Sequence, residues 1–254
     1  MSTTKPKILF LDIETQPDLV WTWGVYESNA LEVKEHWQML SFSAEWMDGA
    51  IITKGLCDYS GYKPGGSDKR LSKDIWDLLD EADIVVAHHG KQFDIKKINA
   101  RFIAHCMTPP SPYQVVDTLT ELRRLAAFSS NKLDWICKQL DIGGKIVHQG
   151  WALWRGCMNG DEKCWKKMKK YNRHDIVLLK ELYYALQPWL RQPSAGLWDP
   201  NAVCPNPACG SMDVTRQGLK RTRTRVYQQF KCKQCGSWGR TVKSEADKAS
   251  TVGV

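Results

Sequence analysis

Apolar positions along the first 190 residues fall into blocks whose spacing alternates between strand-like and helix-like. Lys7 to Ile13 is a β-rich apolar run that ends in acidic residues. Met39–Trp46 and Ala50–Cys57 read as two further strands joined around Asp48-Gly49, a favoured hairpin pair. Tyr59–Asp68, rich in Gly around Pro64, is a loop. From Ser72 to Ala82, Ile75, Leu78, Leu79 and Ala82 recur at helical spacing, with Ser72 as the expected N-cap. Ile84–Ala87 is a short strand, followed by a helix from about Asp94 to Cys106. Val115-Val116 predicts another strand, with Asp117 capping the next helix. Leu133–Leu140 is helical up to Gly143-Gly144, and a long helix runs from about Glu162 to Leu186, stopping near Pro188. Three strands, then helix–strand–helix–strand with closing helices, predict an α/β mixed sheet flanked by helices. Gln192–Pro200 has linker chemistry. The expected organisation is a domain over 1–190, a linker over 191–201, a small β domain over 202–243 and a flexible tail over 244–254.

Charge is unevenly placed along the chain. The 254 residues carry a net +8. Residues 1–199 account for +1 of it and residues 200–254, with 10 Lys+Arg against 3 Asp+Glu, for +7. A near-neutral body with a basic tail predicts a polyanionic partner, most simply nucleic acid. No apolar run reaches the roughly 18 to 20 residues that cross a bilayer, and the first residues lack a signal-peptide layout. A cytoplasmic location and no membrane partner are therefore expected. Of nine cysteines, five (Cys57, Cys106, Cys137, Cys157, Cys164) are scattered and read as free thiols. Trp21, Trp23, Trp151 and Trp154 are expected mainly in the core, with some available for base stacking.

Carboxylates stand at three informative places. Asp12 and Glu14 are two apart at a strand end, so they project from one face. Two acids that close repel each other unless cations lie between them. Asp94 follows Phe93 where a buried strand turns through His88-His89-Gly90 into a helix. Tyr171 and Asp175, four apart, share one helical face. Taken singly, each has an ordinary reading: solvated acids, an N-cap, a surface pair.

In order, Asp-x-Glu on a first strand, Phe-Asp at a helix start and Tyr-x3-Asp on a late helix resemble the DEDD exonuclease superfamily. This is the ribonuclease H-like fold of proofreading 3′–5′ exonucleases. The Tyr-x3-Asp form looks like its DEDDy branch, and Lys170 stands where the His-bearing branch would place its histidine. The stretch Asn131–Lys145, ending in Gly143-Gly144-Lys145, is similar to the exonuclease domains of family B DNA polymerases. Resemblance covers about residues 7–187. His89 departs from it, since the second motif often carries Asn there.

The resemblance implies a phosphodiester hydrolase using two Mg²⁺ or Mn²⁺ ions. Asp12 would bridge them, Glu14 and Asp175 would complete the ion that holds the attacking water, and Asp94 would position the other. Tyr171 would orient that water, and the products would be nucleoside 5′-monophosphates cut from a 3′ end, DNA being the favoured substrate. Lys145 is a candidate phosphate contact, and capping accounts for Asp117. Competing readings on the same fold are a structure-specific endonuclease, an RNase, or a catalytically idle nucleic-acid-binding protein.

The basic tail holds Cys204-x4-Cys209-Gly210 and Cys232-x2-Cys235-Gly236. Four thiolates in two Gly-terminated knuckles suit one tetrahedral, structural Zn²⁺. About 50 residues need such a staple to fold. The pattern resembles a zinc ribbon. Between the knuckles, Thr222–Phe230 reads as strand, which would put Arg221, Arg223 and Arg225 on one face beside Lys220, with Tyr227 available for stacking. Nucleic acid is the expected partner of that face, and a replication or repair protein is the alternative.

Overall fold

The computed structural model describes residues 5–27, 29–147, 149–245 and 249. Two compact units divide between Leu182 and Tyr183, within a helix rather than at the Pro- and Gly-bearing stretch that composition favours.

In the larger unit, β1 (Ile8–Thr15) is the middle strand of a five-stranded sheet. β2 (Leu19–Trp21) and β3 (Glu32–Glu35) form a separate antiparallel arm whose residues are all exposed. β4 (Met39–Trp46) pairs antiparallel with β1, and β5 (Ile51–Gly55) pairs antiparallel with β4. After helix α1 (Lys69–Glu81), β6 (Ile84–Ala87) lies parallel to β1. After α2 (Asp94–Ala104), β7 (Gln114–Asp117) lies parallel to β6. The sheet order is β5-β4-β1-β6-β7. Helices α3 (Thr118–Leu125), α4 (Leu133–Gln139), α5 (Trp151–Met158) and α6 (Glu162–Leu186) complete the unit. The mixed sheet flanked by helices is the expected α/β class. No helix among the described residues is long and apolar enough to cross a membrane.

Burial explains why β1 can carry acids. Ile8 to Leu11 are buried without alternation, as a central strand covered on both faces requires. From Leu11 onward alternation sets in: Leu11 and Ile13 stay buried while Asp12 and Glu14 emerge, half-buried, on one face. The parallel strands β1, β6 and β7 end at the same edge, the usual place for a site in an open α/β sheet.

The start of α1 corrects an expectation. Asp68 occupies the N-cap position, and Ser72 lies inside the helix, its Oγ donating to the Asp68 carbonyl at 3.0 Å. The fully buried Asp68 carboxylate draws the chain there. It accepts two 2.7 Å bonds from Arg101 and one of 3.0 Å from the Met39 N–H, with His105 Nε2 at 2.6 Å. This cluster joins α1, α2 and the start of β4. Trp21, Trp23 and Trp151 are exposed rather than in the core, while Trp154 is half-buried, edge-on to Tyr171 with centroids 6.1 Å apart. The five scattered cysteines are free thiols, Cys137 and Cys157 buried and Cys106 exposed.

In the smaller unit, Tyr183 Oη donates to Gln192 and the Ala195 N–H donates to the Pro205 carbonyl, so residues expected as linker are tied to the first cysteine segment. β8 (Val214–Arg221), β9 (Val226–Cys232) and β10 (Trp238–Arg240) form an antiparallel sheet in the order β10-β9-β8. Of the expected tail 244–254, residues 246–248 and 250–254 lie outside the described residues. Glu245 and Ala249 donate backbone bonds to Val226 and Thr224.

Candidate metal centre and active site

Asp12, Glu14 and Asp175 each offer a carboxylate oxygen, and these three atoms lie within 4.8 Å of one another. β1 supplies the first two by strand alternation, and α6 supplies the third from across the fold. Asp94, in the first turn of α2, is not one of that 4.8 Å group but stands near enough for its charge to act on Asp12. Phe93 rather than Asp94 takes the cap position, so the Asp94 side chain is free to accept the Ile13 N–H at 3.1 Å, between the two acids of β1.

The turn that aims Asp94 is tightly built. Gly90 cannot be replaced cheaply, because a Cβ there would stand 2.4 Å from Ala87 Cβ. His89 sits at φ 69, a region costly for a non-glycine residue. Asp117 offsets that cost. Its carboxylate accepts the N–H groups of His89 and Lys91 at 3.0 and 3.1 Å, and caps α3 through Leu119 and Thr120 at 3.1 Å. The expected capping role is present, and the same carboxylate also ties the β6–α2 turn to β7.

Charge crowding shows in the protonation behaviour. Burial, then Asp94, Glu14 and Asp175, push Asp12 well above the carboxylate range. Burial and Asp175 carry Glu14 up to about 8. Burial carries Asp94 up to about 7, against the pull of the Ile13 N–H. Asp175 is raised by burial, with Lys145 opposing. Its Oδ1 is buried and has no hydrogen-bond donor. An oxygen-only donor set, mutually repelling and with one orphaned buried oxygen, fits a hard divalent cation such as Mg²⁺ or Mn²⁺.

Two side chains contribute what spacing alone did not predict. Asn172 is fully buried, donates to Asp12 Oδ2 at 2.6 Å, and accepts the Ser41 hydroxyl at 3.2 Å. No local signal marks it, since its partners lie 160 and 131 positions away in sequence. Lys145, expected as a phosphate contact, points its ammonium into the acidic site, paired with Asp175 and 2.9 Å from Tyr171 Oη. Asp134 accepts the Lys145 N–H at 2.7 Å and His174 Nε2 lies 2.8 Å from the Gly144 carbonyl, so the Gly-Gly-Lys turn is clamped from α4 and α6. Burial works against the Lys145 charge, but Asp175 and Tyr171 outweigh it and hold the pKa above the lysine range. Tyr171 is buried, and burial followed by Asp175 keeps it a neutral phenol.

In the smaller unit the Sγ atoms of Cys204, Cys209, Cys232 and Cys235 also lie within 4.8 Å of one another. Cys204–Cys235 and Cys209–Cys232 are 3.5 and 3.9 Å apart. Four thiolates around a tetrahedral ion at about 2.3 Å stand about 3.8 Å from each other, so the cluster has the dimensions for zinc. Gly210 and Gly236 sit at φ 60 and 75, where each knuckle folds back to bond Asn206 O and Cys232 O.

Of the candidate nucleic-acid contacts, the structure brings only Lys220 and Tyr227 together, paired across β8 and β9. The expected shared face of Arg221, Arg223 and Arg225 is not formed. Thr222 N–H donates to Arg225 O at 2.8 Å, closing a turn that contains Arg223 and Arg225. Arg221, paired with Val226, faces away from Lys220. Alternating Thr and Arg imitated a strand where the backbone reverses.

A mixed sheet with acids gathered at the end of its first strand defines a nuclease-type, ribonuclease H-like protein. The RNase_H superfamily profile matches residues 9–187, and the chain belongs to that superfamily. No curated protein matches the sequence. Among solved structures, the family B DNA polymerase from the hyperthermophilic archaeon Pyrobaculum calidifontis is similar in fold, with a TM-score of 0.51 and 13% identity. The likeness covers 73% of this chain and 25% of the polymerase, so the chain matches a quarter of that protein's length.

Proposed function

We propose that the protein is a metal-dependent 3′–5′ exonuclease of the DEDDy type, hydrolysing DNA to nucleoside 5′-monophosphates. The observation that carries this reading is the convergence of Asp12, Glu14 and Asp175 within 4.8 Å, one oxygen of Asp175 being buried without a donor. With Asp94 they would hold two Mg²⁺ or Mn²⁺ ions. Bound there, the ions would activate water and neutralise charge on the attacking and leaving oxygens.

The chain's own groups supply the rest. Asn172 fixes the Asp12 carboxylate. Tyr171, held neutral, acts by orientation rather than as a base. Lys145, held protonated beside Asp175, offers a positive charge for a phosphate oxygen. One fold neighbour is a DNA polymerase, in keeping with DNA as substrate. The four cysteines would hold one structural Zn²⁺, making the small unit a zinc ribbon that aids substrate binding.

Oligonucleotides labelled at the 3′ or the 5′ end, as single or double strands of DNA and RNA, test the reading with Mg²⁺ or Mn²⁺ present. Release of labelled 5′-mononucleotide from the 3′ end at the first time points is expected. Internal cuts would instead make the protein an endonuclease, and tight binding without cleavage would make it an idle binding protein.

A further inference from the structure

The two faces of the C-terminal sheet are chemically unlike. Strand pairing and alternation put Lys220, Tyr227, Gln229, Lys231, Trp238 and Arg240 on one face. The opposite face carries Val214, Phe230 and the zinc-site candidate Cys232, along with Arg216 and Arg221. Phe230 lies so close over Gly239 that a Cβ there would meet its ring at 2.2 Å, so the large apolar ring is used inside the unit. On the first face each aromatic ring is matched with a cation. The Arg240 guanidinium is 3.9 Å from the Tyr227 ring centre, and Lys231 Nζ is 6.0 Å from that of Trp238.

None of those six positions is acidic. Asp213, just before β8, is paired with Lys233 at 2.8 Å. Trp238 is 47% exposed despite its size. Tyr227 and Lys231 are separated by about 13 Å along β9, at roughly 3.3 Å per residue.

We propose that this face binds a single nucleic-acid strand: Lys220, Lys231 and Arg240 meet phosphates, while Trp238 and the Arg240–Tyr227 stack receive bases. Cations interleaved with flat rings are the arrangement that tracks an unpaired strand, whose bases expose their faces. A duplex hides those faces, and a protein partner would want an apolar centre that this face lacks. The surface therefore lies on the sheet and not on the arginine turn. It does not depend on the hydrolytic reading.

The test uses the full chain, without added Mg²⁺ or Mn²⁺, and fluorescence anisotropy of a labelled single-stranded oligonucleotide across a salt series. Lys231→Ala with Arg240→Ala should weaken binding about tenfold and lower the log–log salt slope by about 1.4, at about 0.7 per charge lost. Tyr227→Ala with Trp238→Ala should weaken binding about tenfold with the slope unchanged. Zinc content reports whether each variant keeps the unit folded. If either pair loses zinc, the exposed charge reversal Lys220→Glu with Lys231→Glu decides, and should weaken binding more than tenfold. Wild-type affinity and slope in a zinc-retaining charge variant overturns the proposal, as does tighter binding of the same sequence as a duplex. Hydrolysis of the p-nitrophenyl ester of thymidine 5′-monophosphate by the wild-type chain, measured separately with Mn²⁺ added, reports on the acidic site alone and keeps failure of the hydrolytic reading distinct from failure of this proposal.

Discussion

Asn172 shows how a single buried amide can set the geometry of a charged site. It holds Asp12 at 2.6 Å from α6 and is itself held by Ser41 on β4. A hydrogen bond to a charged group contributes about 1.5 to 3 kcal/mol, so Asn172→Ala should lower kcat about tenfold to a hundredfold, with little change in KM. Steady-state kinetics on a labelled strand would check this, and a kcat within twofold of wild type would contradict it. The acids themselves were legible, because strand and helix periods alone place Asp12 with Glu14 and Tyr171 with Asp175. Asn172 was not, because its meaning depends on contacts far away in sequence. The same crowding makes a pH prediction. Glu14 and Asp94, raised to about 8 and 7, are protonated in the metal-depleted fold at pH values where the unfolded chain has already released those protons. Their contribution is fully present below about pH 4 and is lost as pH rises through 7 and 8. Thermal unfolding of metal-depleted protein should therefore show falling stability from pH 5 to 9. Added Mn²⁺ should raise the midpoint most at the alkaline end, and Glu14→Gln should flatten the trend.

Elements were readable where burial is continuous. β4 and β6 start and stop where the apolar pattern does, since each is buried along its length, and α6 does so because one face stays buried from Trp165 to Leu186. The β2–β3 arm was not readable, because every residue in its strands is exposed and no alternation survives. The helix α5 is short and starts at a glycine that offers no capping side chain, and the β8–β9 turn carries strand-like residues. Position rather than propensity fixes α1, whose N-terminus is held by the buried Asp68 cluster. Asp68→Ala removes the partner of Arg101 and leaves that guanidinium largely buried and unpaired. Breaking a buried pair in this way costs about 3 to 5 kcal/mol. Urea unfolding should register that loss, and a change below 1 kcal/mol would show that the cluster is not structural. Gly90→Ala should destabilise by about 1 to 3 kcal/mol through overpacking against Ala87, and should reduce activity because the same turn aims Asp94.

At the scale of the molecule, the two compact units have different sources of stability. The larger has a core of Leu, Ile, Val and aromatic side chains around its sheet. In the smaller, the described buried positions include Cys204 and Cys232. Cys232→Ser should therefore abolish zinc binding and the ordered C-terminal strands while sparing the unfolding transition of the larger unit. Zinc analysis with amide exchange would check both parts. The uneven charge in the sequence sets a basic C-terminal part apart from a near-neutral body, but not which face of the small sheet carries its lysines and arginines, because a turn and a strand can share one residue pattern. We propose that Asp12, Glu14, Asp94 and Asp175 form a divalent-cation site that hydrolyses phosphodiesters. The most direct measurement is release of 5′-mononucleotide from a 3′-labelled single-stranded DNA by wild type and by Asp12→Asn, across a Mg²⁺ titration. Wild type should release mononucleotide only with Mg²⁺ present, and the variant should be at least a hundredfold slower at every concentration. Equal rates in the two proteins, or wild-type release that persists without any divalent ion, would contradict it.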